Sequence, residues 1–109
     1  MEVQVQAKGV PGAQAFRARM TQRIREVLGQ LARMVNSITV RLSDDRGARL
    51  GADKICRTVV KMRDNSSLVI EEFGDDMLRL IDVVVARTYR SVCSQLLKSP
   101  AAGSMLTSA

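Results

Sequence analysis

With 109 residues, 46% of them apolar and 26% charged, the chain is long enough to bury one hydrophobic core and too apolar to stay disordered. Seventeen Lys and Arg against eleven Asp and Glu leave a net charge of +6, and thirteen of those cations are arginine, whose planar fork of donors matches phosphate oxygens in pairs, so a polyanionic partner is expected. The lack of histidine, of a glycine-rich phosphate loop and of cysteines at metal spacing argues against an enzyme, a metal site or a bound cofactor.

The first element is a strand. From Glu2 to Ala7 the chain alternates, placing Val3, Val5 and Ala7 on one face, and Lys8-Gly9 ends the run. This alternation is not the core of a signal peptide, and no apolar run reaches the ~18 residues of a membrane span, so a cytoplasmic protein that does not engage a membrane is expected. After Pro11 and Gly12, the spacing of Phe16, Met20, Ile24, Val27, Leu28 and Leu31 predicts an amphipathic helix from Ala13 to about Met34. At ~100° per residue, Arg19, Arg23, Glu26, Gln30 and Arg33 gather on its far side. Residues 13–35 hold five arginines and only Glu26 to oppose them, so pairing within the helix leaves that face basic.

A second strand follows, with Ile38, Val40 and Leu42 on one face and Ser37, Thr39, Arg41 and Ser43 on the other. Asp44-Asp45-Arg46-Gly47 has turn chemistry, and a loop is expected through Asp53. From Lys54 to Met62 a third strand has two competing inward faces, Ile55 with Val59 or Cys56 with Val60; the second, joined by Met62, is preferred. Arg63-Asp64-Asn65-Ser66 then connects a hairpin to a fourth strand, from Ser67 to Phe73, antiparallel to the third.

Gly74-Asp75-Asp76 opens a second helix, because carboxylates at a helix start accept its free amide donors and oppose its dipole. The β-branched run Val83-Val84-Val85 suits a strand as well, but the spacing of Met77, Ile81, Val84, Val85, Val92 and Leu96 decides for helix. Arg79, Arg87, Arg90, Ser94 and Lys98 lie opposite or beside that stripe, and every charge after Asp82 is positive, an arrangement that also complements the helix dipole. Cys56 and Cys93 read as small apolar residues. Beyond Ser99-Pro100 the periodicity stops, and residues 99–109 are expected to form a flexible tail to a single domain over residues 1–98. The resulting fold class is α+β: β-α-β-β-β-α, a four-stranded, mostly antiparallel sheet with both helices packed on one face.

This succession, with Asp76-Met77-Leu78-Arg79-Leu80-Ile81-Asp82 opening the last helix, resembles the ribosome hibernation-promoting factor and ribosome-associated inhibitor family over about residues 2–97. In that family the last helix opens with a motif close to Asp-Met-Tyr-x-x-Ile-Asp/Asn and continues to spaced basic residues, positions held here by Arg87 and Arg90. Ala15-Phe16-Arg17 and Arg23 match the family's first helix, whereas Leu78 stands in place of its tyrosine and Ser94 and Gln95 in place of further lysines. The resemblance is to the short type, which lacks a second domain, and implies a fold like a double-stranded-RNA-binding domain. It implies too a bacterial stress-response protein that binds small-subunit ribosomal RNA where messenger and transfer RNA pass, inhibiting translation by occupancy. No small-molecule substrate follows from it.

The residues expected to contact RNA phosphates are Arg19, Arg23 and Arg33 on the first helix with Arg87 and Arg90 on the second. Arg17, Arg25, Arg79 and Lys98 form a secondary set; Arg17 projects nearer the apolar stripe, where bracing the helix against the sheet is an alternative role. Two other readings stay open: a protein-interaction module using an apolar strip near Val83, and a divergent relative that binds another structured RNA. Aromatic residues number only Phe16, Phe73 and Tyr89, too few for recognition of single strands by stacking.

Overall fold

The computed structural model describes residues 1–45 and 53–98. Its elements are β1 (Glu2–Lys8), α1 (Ala13–Leu28), a short 3-10 turn (Gly29–Leu31), β2 (Val35–Asp44), β3 (Lys54–Met62), β4 (Ser67–Gly74) and α2 (Met77–Lys98). The strands form one sheet in the order β1-β2-β3-β4; β1 runs parallel to β2, and the other two pairings are antiparallel. The expected α+β class and element order are those observed.

Period-two alternation sets what each side of the sheet presents. On the helix side the register aligns Val3, Ile38, Val60 and Leu68 in one row and Val5, Val40, Thr58 and Ile70 in the next. A third row runs through Ala7, Leu42, Cys56 and Glu72. Met20, Ile24 and Leu28 of α1 and Met77, Ile81, Val84, Val85 and Val92 of α2 close over these rows as one core. Cys56, Val60 and Met62 are the inward face of β3 as preferred, and Thr58 joins them, buried with its hydroxyl 3.9 Å from the Cys56 thiol. In α2, Thr88 is buried too and donates its hydroxyl back to the Val84 carbonyl at 2.7 Å.

Three local features fix the connections. Gly12, at φ +74°, occupies the left-handed conformation that glycine adopts without steric cost and turns the chain into α1. Asn65, at φ 72°, does the same in the β3–β4 hairpin, where Asp64 accepts the Ser66 amide at 2.9 Å. Asp76 caps α2: its Oδ1 accepts the amides of Leu78 at 3.0 Å and Arg79 at 3.4 Å.

The first helix is shorter than its apolar spacing predicts. It ends at Leu28, after which Gly29–Leu31 tightens into a 3-10 turn, with the Ala32 amide bonded to Gly29 and the Met34 amide to Leu31. Glycine weakens a helix interior, and the tighter winding still lets Leu31 reach the core while delivering Val35 to the sheet. Arg33 therefore lies in the turn before β2 and not on the first helix. Asp44 is the last residue of β2, and its Oδ2 meets Lys54 Nζ at 2.8 Å; the loop reading of residues 46–52 and the tail reading of residues 99–109 lie outside the described residues.

Candidate nucleic-acid interface

The expected cations fall into three settings. Arg19 and Arg23 turn toward α2, where Arg23 Nε lies 3.2 Å and Arg19 Nη2 4.0 Å from Asp82 Oδ1. Arg23 also donates to Glu26 Oε2 at 2.8 Å, a bond that raises the arginine's affinity for its proton and holds the Glu26 carboxyl below its ordinary value. These two arginines thus stitch α1 to α2, and their charge is largely matched locally. The packing explains this: at ~100° per residue Asp82 sits beside Tyr89 on the α1 side of α2, and Gln30 donates to the Tyr89 hydroxyl at 3.2 Å along the same seam.

The second setting is the cleft between α2 and β4. Arg87, Arg90, Ser91, Ser94 and Lys98 line an open cavity of about 450 Å³ floored at one end by Leu68. Residues 87, 91, 94 and 98 share one face of a helix by their three- and four-residue spacing, with Arg90 beside them. Glu72, on the helix side of edge strand β4, accepts a hydrogen bond from Arg87 Nη1. That contact uses one of the five guanidinium donors and orients the rest. Arg90 and Lys98 are exposed and have no carboxylate partner among the described residues.

Arg17, Arg25, Arg33 and Arg79 make up the third setting: exposed, and without a carboxylate partner among the described residues. Arg79 and Arg90, eleven positions apart, come within about 20° of each other around α2, so Arg79 extends the cleft's positive ridge toward the start of the helix. Val83, 46% exposed, sits between them.

The structure therefore gathers Arg87, Arg90 and Lys98, places Arg79 in line with them, and leaves Arg17, Arg25 and Arg33 dispersed. Ser91 and Ser94 complete the cleft, and Glu72 holds Arg87 by a hydrogen bond; the two serines follow from the helical spacing of Arg87, and Glu72 from the alternation Leu68, Ile70, Glu72. Chemically the cleft offers hydrogen-bond donors, positive charge and hydroxyls, the set that holds phosphate oxygens. No cluster of metal-ligating side chains occurs among the described residues, and burial pushes the Cys56 thiol up to about 11, leaving it protonated and inert at neutral pH. No helix among the described residues is long and apolar enough to cross a membrane.

The fold defines a class: a one-sided α+β domain of the type found in ribosomal interface proteins. A ribosomal subunit interface protein from Coxiella burnetii has this fold at a TM-score of 0.70 and 17% identity, over 87% of this chain and 97% of its own. The N-terminal domain of Thermus thermophilus Protein Y has it at a TM-score of 0.64 and 17% identity, over 84% of this chain and 96% of its own. The α+β fold expected from the sequence, β-α-β-β-β-α, is thus the one observed and the one these two structures share. No protein-family model matches the sequence, and no curated protein matches it either.

Proposed function

We propose that the protein is a ribosome-associated translation inhibitor that binds small-subunit ribosomal RNA and occludes the path of messenger and transfer RNA. The observation that carries this reading is the cationic cleft of Arg87, Arg90 and Lys98 on a domain whose fold is shared with a ribosomal subunit interface protein. Binding by occupancy needs no covalent step: arginine forks bridge phosphates, the domain follows the shape of folded RNA, and the blocked channel does the rest. The primary contacts are Arg87 and Arg90, extended by Lys98 and Arg79; Arg33, Arg17 and Arg25 act as outlying phosphate contacts, and Arg19 and Arg23 contribute while bridging the two helices.

Co-sedimentation with purified small ribosomal subunits tests it. Binding at low salt should fall steeply as ionic strength rises, because each neutralised phosphate releases counterions. Replacing Arg87 and Arg90 together by alanine should weaken binding by about tenfold or more and flatten the salt dependence, with an unchanged circular dichroism spectrum. Salt-insensitive binding would point instead to an apolar protein interface around Val83, and undiminished binding by the folded double variant would rule out the cleft.

A further inference from the structure

The helix-free face of the sheet carries an electrostatic conflict of its own. Its outward side chains form cross-strand rows, one of which reads Gln6, Arg41, Arg57 and Glu71. Arg41 and Arg57 are register partners on adjacent antiparallel strands, and both are exposed. Like charges set directly opposite each other across a strand pair are destabilising. Glu71 relieves one of them incompletely: its Oε2 lies 3.6 Å from Arg57 Nη1, beyond hydrogen-bond reach. Arg41 has no carboxylate partner among the described residues.

Around the two guanidinium groups, Gln6, Thr39 and Val59 complete a partly open cavity of about 180 Å³. In the next row Val59 faces Val69, which is 55% exposed, so an apolar strip flanks the arginine pair. We propose that this face docks an extended acidic segment of a partner protein, with one carboxylate seated between Arg41 and Arg57 and a neighbouring apolar side chain covering Val59 and Val69.

A carboxylate accepts hydrogen bonds from two guanidinium groups at once and cancels their opposition. The valine strip gives a phosphate backbone nothing to bind. Glu2 and Glu71 are exposed on the same face as Lys8 and Lys61, so charge of both signs alternates across it and suits a peptide with isolated acids better than a continuous polyanion. The surface lies across the sheet from Arg87 and Arg90, so this site and the RNA cleft stand or fall separately.

Titration of isotope-labelled protein with acetyl-Val-Glu-Val-Glu-Val-amide, followed through amide chemical shifts, tests the assignment. Shifts are expected at Thr39, Arg41, Arg57 and Val59. Arg41→Gln should weaken the affinity about tenfold while leaving the rest of the spectrum in place, and the same peptide with Gln in place of Glu should not bind. Silence from the acidic peptide, equal binding of the Gln peptide, or an Arg41→Gln affinity equal to wild type overturns the proposal. So does preferential binding of oligouridylate at these residues, which would make the face a second RNA surface.

Discussion

Asp82 shows how one acid redistributes the charge of two helices. It accepts from Arg23 and stands near Arg19, so two of the five arginines of first rank spend part of their field inside the molecule. Both sides of this contact are solvent-exposed to a good extent, which makes it weak as a stabiliser and effective as a local neutraliser. Asp82→Asn should therefore leave the melting temperature nearly unchanged and tighten binding to small subunits by about threefold at low salt, with a steeper salt slope. A fall in melting temperature with no gain in affinity would make Arg19 and Arg23 braces only. Glu72 plays a different part: it meets Arg87 and fixes the direction in which the remaining donors point.

Among the elements, α2 carries both the core and the cleft, so its start is where stability and the proposed function meet. Asp76 supplies the cap through two amide contacts, and the same residue's carbonyl accepts the Leu80 amide at 2.9 Å. Asp76→Ala should cost about 1 kcal/mol and lower the thermal midpoint by roughly 4–8 °C, read by circular dichroism, with the cleft's affinity largely kept at temperatures where the domain is folded.

The capping signal was legible in the sequence because it is local. So were β1, β2 and the whole of α2, whose apolar positions repeat at the period of their own element and face a single core, and β4, which follows from the hairpin before it. The end of α1 was not legible, since Leu31 keeps helical spacing even though the chain has tightened after Gly29. The faces of β3 competed because Ile55 and Val59 are apolar on the open side of the sheet, where a one-residue shift would exchange them with Cys56 and Val60. The candidate site was legible as a set of cations and not as a set of free cations. The partners that decide the difference are distant in the chain, Arg23 and Asp82 being 59 residues apart and Arg87 and Glu72 being 15 apart.

At the scale of the whole molecule, the sheet divides two chemistries. The helical side presents the ridge from Arg79 through Arg90 to Lys98, with the matched charges of Arg19 and Arg23 along the helix seam. The open side presents an arginine pair among valines and two exposed acids. In the proposed function, the net charge of +6 supplies long-range attraction to ribosomal RNA, while the cleft supplies the oriented contacts that give binding its register. Attraction alone would place the protein anywhere on a ribosome; occlusion requires that it take the place of other ligands. The most direct measurement is competition on the small subunit: labelled protein bound to free subunits, then challenged with messenger RNA and initiator transfer RNA at constant ionic strength. Displacement of the protein by these ligands together, and exclusion of them by excess protein, is the expected result. Simultaneous binding of protein, messenger and transfer RNA to one subunit would contradict the account.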